Sequence, residues 1–186
     1  AEVDERKRAE QEILRRNQQL AAAAEIARAA TSTLKLDMLL AASVELIREK
    51  FGFYHASIFL IEPGSNMAVL RESTGEAGRQ LKARAHQLAI GSKSLVGSAT
   101  ATHRPVIAQD VADDPTHFRN PLLPDTRAEA VIPLLGGDVA IGALDVQSTT
   151  AGAFSDSDVM ILTTIADQLS IAIQNARLYA SAQQEL

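Results

Sequence analysis

The spacing of apolar residues changes twice along this chain, and those changes decide what it can fold into. Leu36, Leu39, Leu40, Val44, Ile47 and Phe51 recur at helical spacing, which predicts a helix over Thr33–Lys50 with Gly52 as its stop. The pattern then turns to strands. His55–Ile61 and Met67–Ser73 flank the turn cluster Glu62-Pro63-Gly64-Ser65-Asn66, the signature of a hairpin. Helical spacing returns at Ser155-Asp156-Ser157-Asp158, a capping-box-like start, and runs to Leu186. Ahead of all this, the first 34 residues hold no Gly and no Pro and are rich in Ala, Glu, Gln and Arg, so they predict a further helix.

Between the hairpin and the last helix the signals are shorter. Thr74–Gly78 reads as a loop, and Gln80–Ile90 fits either a helix or a strand end. Ser94–Thr102 predicts a short helix and Pro105–Ala108 a short strand. Asp110–Arg127 is a long loop with Pro115, Pro121 and Pro124, and loops of this length usually serve a function. Ala130–Leu135 and Val139–Gln147 form a second hairpin around Gly136-Gly137-Asp138. Pro133 marks an edge or a bulge, and Gly142 a place where a helix or ligand comes close to the strand. The fold class expected is α+β: an antiparallel sheet of five to six strands, helices on both faces, and long helices at either end.

Composition removes whole classes of function. With no cysteine in 186 residues there is no disulfide scaffold, thiolate zinc site, catalytic thiol or thioether-linked chromophore. A net charge of −5 and 4% aromatics argue against nucleic acid as a partner. Apolar runs fall far short of the ~20 residues that span a bilayer, so no membrane insertion is expected in this segment. The charged start, Ala1-Glu2-Val3-Asp4-Glu5, lacks an export signal and an initiator Met. It reads as a fragment of a longer cytoplasmic protein, starting inside a helix.

Both end helices carry heptad seams. In the first, Val3, Ile13, Leu20, Ala24, Ala27 and Leu34 fall on a/d positions, with Asn17 at an a position where it can fix register. In the last, Leu162, Ile165, Leu169, Ala172, Ala176 and Tyr179 do the same. The expectation is a homodimer through these helices; the alternative is that they pack only on their own domain.

The order of motifs resembles the GAF domain, a sensory module of bacterial and eukaryotic signalling proteins. Ser94-Leu95-Val96-Gly97, Pro105-Val106, Asp110-Val111, Arg127-Ala128-Glu129-Ala130 with Pro133-Leu134, Ile141–Ser148, Phe154 with Asp158, Ile165–Gln168 and Ile173–Tyr179 carry the resemblance, over about residues 34–180. It implies a sensory domain at 34–180, a signalling helix at 1–33, and a last helix, 155–186, that continues outward toward an output domain. It also implies a small ligand held between the sheet, the short helices and the Asp110–Arg127 loop. The candidates are Phe118 as an apolar wall, Arg127 as a polar anchor, and Asp110, His117, Glu129 and Asp145. Each has a plainer alternative: His117 on the loop surface, Arg127 and Glu129 paired with each other or with Asp125, Asp145 held by a loop backbone amide.

What the resemblance implies about activity depends on residues this chain lacks. Methionine sulfoxide reductases of this type and bilin-binding members use cysteines, so neither that activity nor a covalent bilin carries over, and no catalysis and no cofactor are expected. Cyclic-nucleotide-binding members carry Asn-Lys and then Phe-x-x-x-Asp-Glu. Phe154 and Asp158 match, but Val159 replaces the Glu and Gln147-Ser148 stand near the Asn-Lys. A sensor of a bacterial signalling protein is the expected function. A ligand-free dimerisation module, a cyclic-nucleotide sensor and a non-covalent chromophore or haem sensor are the alternatives.

Overall fold

A computed structural model describes the backbone of residues 2–32 and 36–184, and the side chains of these except at 25, 27–32 and 179–184. Helix α1 spans Glu2–Ser32 and α2 Leu36–Phe51. Strands β1 (His55–Ile61) and β2 (Met67–Ser73) are followed by α3 (Gly75–Ala83), β3 (Gln87–Ala89), α4 (Leu95–Thr102) and β4 (Val106–Ala108). A long loop leads to β5 (Ala128–Gly136), β6 (Val139–Ser148) and α5 (Asp156–Gln184). The strands form one six-stranded antiparallel sheet in the order β3-β2-β1-β6-β5-β4. Among the described residues no helix is long and apolar enough to cross a membrane.

Local chemistry sets the boundaries. Gly52, at φ +70°, takes the left-handed stop of α2, and its N–H returns to Arg48 O. Ser94 caps α4 by accepting from Gly97 N at 2.8 Å, and left-handed His103 ends it. The start of α5 is a complete capping box: Asp158 N–H donates to Ser155 Oγ, and Ser155 N–H donates to Asp158 Oδ2. Gln109 grips the β6–α5 connection, donating to Phe154 O and accepting from Phe154 N.

The sheet carries a core on each face. On one, α2 and α5 cover Ala56, Ile58, Leu60, Ala130, Ile132, Leu134, Leu144 and Val146, and α1 packs on these two helices. On the other, α3 and α4 cover Phe59, Leu70, Val131 and Ala143. Side-chain alternation along β1, β5 and β6 divides the residues between the two.

Several expectations change. Thr74–Gly78 is not a loop, since α3 begins at Gly75, and Gln87–Ala89 is an edge strand. Gly142 does make room, but for neither helix nor ligand: a Cβ there would strike the backbone oxygen of Phe59 on β1. Pro133 lies beyond the last β4 partner, Val131, and next to the bulge at Leu134/Leu135, where β5 pairs with β6 alone. The α5 seam is not free for a partner. Leu162, Ile165, Leu169, Ala172 and Ala176 are buried within the chain's own core, because that stripe is the one facing the sheet. The side chain of Tyr179 lies outside the described residues. On α1, Ile13, Asn17 and Leu20 are exposed, as are residues 2–18 throughout. The apolar face that α5 leaves open is a different one, Met160, Ile171 and Leu178. At 100° per residue these fall within about 20° of one another.

Candidate functional site

The second face of the sheet is apolar except at one end. There alternation aims His55 and Ser57 from β1, Asp145 and Gln147 from β6, and Glu129 from β5 to the same side. Register brings them together: His55 pairs with Gln147, Gln147 with Glu129, and Ser57 with both Asp145 and Ser73. All are buried except the half-buried Ser73. The Asp110–Arg127 loop, α4 and the β3 region roof this strip with Phe118, Asn120, Leu123, Ser94, Leu95, His86 and Leu88. The space enclosed is about 30 Å³, room for about one water molecule.

Polar groups in this strip satisfy one another, with one exception. Thr126 Oγ1 donates to Gln147 Oε1 at 2.6 Å, which turns Gln147 Nε2 toward Asp145 Oδ2 at 2.9 Å. His55 Nε2 lies 2.8 Å from Ser57 Oγ and 2.9 Å from Ser73 Oγ. Burial, and then the charge of Arg48, lower the His55 pKa to about 4, so its imidazole is neutral. The exception is Asp145 Oδ1, fully buried with no donor of its own. Its neighbour is the carboxyl of Glu129. Burial pushes Glu129 up to about 7, against a lowering by Asp145 and with a further rise from the charge of Asp114; burial and then the charge of Glu129 push Asp145 well above the carboxylate range. Of the two, Asp145 is the acid pushed further toward its protonated form.

The loop reaches this pair through His117, whose Nδ1 lies 2.7 Å from Glu129 Oε2; toward a carboxylate, which can only accept, the ring nitrogen is the donor. Burial lowers the His117 pKa, so this is a hydrogen bond from neutral imidazole, not an ion pair. Phe118, next in sequence, lines the cavity, packs on His86 with ring centroids 5.9 Å apart, and is 46% exposed.

The structure therefore brings together Phe118, His117, Glu129 and Asp145. It leaves Arg127 and Asp110 outside. Arg127, expected as the polar anchor, is exposed and ion-paired with Asp110 at 3.2 Å, because it precedes β5 and its side chain turns outward to that acid. His117 is not a surface histidine, and Asp145 is held by the Gln147 side chain and not by a backbone amide. Phe154 and Asp158 are occupied elsewhere: Phe154 packs on Phe53 in the core, and Asp158 caps α5 and takes Arg15 and Gln19 from α1. Sequence reading missed His55, Ser57 and Gln147. Their signal is a polar residue at i and i+2 in strand segments that are otherwise buried and apolar.

A GAF domain family model matches residues 33–174. The chain belongs to the GAF domain family. Among solved structures, the GAF domain of a phosphoenolpyruvate-protein phosphotransferase from Coxiella burnetii shares the fold. It has a TM-score of 0.79 at 21% identity, covering 92% of this chain and 99% of that one. Free methionine-R-sulfoxide reductase from Neisseria meningitidis, solved with its substrate, has a TM-score of 0.75 at 22% identity, over 86% and 90%. The type II enzyme from Thermoplasma acidophilum has 0.64 at 23%, over 75% and 92%. Among curated proteins none matches. These neighbours correct the expectation that this chain has no catalysis. Reductases from N. meningitidis, T. acidophilum and Staphylococcus aureus carry the same fold, so membership excludes no activity.

Proposed function

We propose that this GAF domain, at about residues 34–180, senses a small ligand in the cavity under the Asp110–Arg127 loop and passes the change to α1 and α5, in a cytoplasmic signalling protein. The observation that carries this reading is the acid pair, Glu129 and Asp145. Two buried carboxyls on a sheet face lower stability unless a partner arrives, and such groups concentrate at binding sites. A thioether link to the ligand is excluded, since the chain has no cysteine. Dimerisation, on this reading, uses the exposed side chains Ile13, Leu20, Met160, Ile171 and Leu178, leaving the buried seam in place.

A panel of small metabolites screened by thermal shift tests this. A true ligand raises the Tm of the wild type, by mass action, and loses that effect in Phe118→Ala and Asp145→Asn. If no compound raises the Tm, the reading fails. The small cavity favours a second reading, a structural module whose site is filled by its own side chains. In that case Phe118→Ala lowers the stability of the unliganded protein, by less than the roughly 3–5 kcal/mol of a fully buried Phe because Phe118 is 46% exposed.

A further inference from the structure

The closed loop leaves space for about one water, so any larger ligand must open it. Its two ends are tied to each other: Val111 N–H donates to Arg127 O at 2.8 Å, and Arg127 pairs with Asp110. Between those ends, the bond from loop to acid pair is His117 Nδ1–H to Glu129 Oε2. Opening the loop over Glu129 means breaking that bond.

Charge says what can take its place. The cavity wall contains no Lys or Arg. Glu129 faces Asp145 on β6, and Asp114 and His117 on the loop, while neutral His55 on β1 lies beyond Gln147. Arg119 acts on His117, and Arg48 on His55. The floor is thus acidic, with one carboxyl oxygen, Asp145 Oδ1, lacking a partner and a Glu129 oxygen served by a neutral imidazole. A protonated amine offers three N–H donors and the missing positive charge.

We propose that the cavity takes small molecules through a protonated amine, which replaces the His117 N–H on Glu129 and so unlatches the 110–127 loop. This rests on the ligand-binding reading above. It couples recognition to motion directly, because the donor that binds the acids is the one that displaces the loop. Binding of a cation also favours the ionised acid pair, so a proton leaves as the amine enters. Affinity rises as pH climbs through about 7, where Glu129 ionises.

The test is an NMR titration of the intact chain with n-propylammonium chloride, with n-propanol and potassium chloride as controls. The histidine side-chain resonances are followed at pH 6 and pH 8. Expected are saturable binding of the amine, at least tenfold tighter at pH 8, loss of the His117–Glu129 bond signal at saturation, and no binding of either control. His117→Ala removes the competitor and should tighten amine binding severalfold. Equal binding of propanol or potassium, an unmoved His117 signal at saturation, or unchanged affinity in His117→Ala overturns the proposal. Should the metabolite screen find a Phe118-dependent ligand without an amine while amines fail, this inference falls and the ligand-binding reading stands. Should both fail, both fall.

Discussion

At the residue scale the main tension is between burial and charge. Asp145 and Glu129 are buried on largely apolar strands, and there a proton is retained where water would have removed it. Gly142 shows the opposite economy of space. Its missing side chain lets β1 and β6 close, so Gly142→Ala should lower stability by about 3 kcal/mol in urea melts; a loss within error would mean β1 can shift to accept a methyl. Ile132 and Leu144 are cross-strand partners, both 1% exposed or less. Alanine at either should remove about 2–5 kcal/mol, and this pair was legible from alternation alone. The site was legible only in part. Glu129, Asp145, His117 and Phe118 announced themselves as odd residues in a strand or a loop. Arg127 misled because a guanidinium two residues from Glu129 shares its side of the strand in principle, yet precedes the strand and turns outward to Asp110.

At the element scale, the two end helices are joined at Asp158. Its carboxylate accepts from Arg15, Gln19 and Ser155 N–H, while its own N–H completes the cap. Asp158→Ala should remove about 2–4 kcal/mol, since a cap is lost and the buried Gln19 amide is stranded. Arg15→Ala should remove less than about 1 kcal/mol, because Arg15 is 61% exposed. Limited proteolysis should then cut α1 faster in the Asp158 variant; equal cutting would mean the contact does not hold the helix. The heptads of α5 misdirected for a physical reason. An a/d seam and a stripe facing a sheet have nearly the same period, so spacing alone cannot tell a partner helix from the chain's own core. The two are separable by experiment. Leu169→Arg should unfold the domain, with a collapsed urea midpoint, while Ile171→Arg should fold normally and change only the oligomeric state seen by light scattering. Segment α3–β3 stayed ambiguous because Gly75 and Gly78 read as loop, and a three-residue strand carries too few residues to show a period.

At the scale of the whole molecule, the buried titrating groups pull in opposite directions. His55 has a folded pKa of about 4 against an ordinary 6.5, so the unfolded chain binds the extra proton between those values. Its contribution is present above 6.5 and lost as pH falls toward 4. Glu129 stands at about 7 against 4.5, so the folded chain holds the extra proton, and its contribution is lost as pH rises from 4.5 to 7. Asp145 has the same sign as Glu129. Over the shared window the terms partly cancel and the stability curve is shallow. His55→Gln should expose the acids: stability should fall more steeply with rising pH than in the wild type, by at most about 1.4 kcal/mol per pH unit. Parallel curves for the two proteins would show that His55 does not titrate as its burial demands.

Gln109 gives the architecture a mechanical consequence. Its side-chain amide holds Phe154 from both sides, at the root of α5, and its backbone stands one residue ahead of the loop that roofs the cavity. Roof and long helix therefore pivot on a common fulcrum. On the proposed sensing reading, a displacement of the loop's first residues would bear as torque on the first turn of α5, and through Asp158 on α1, without passing through the sheet between them.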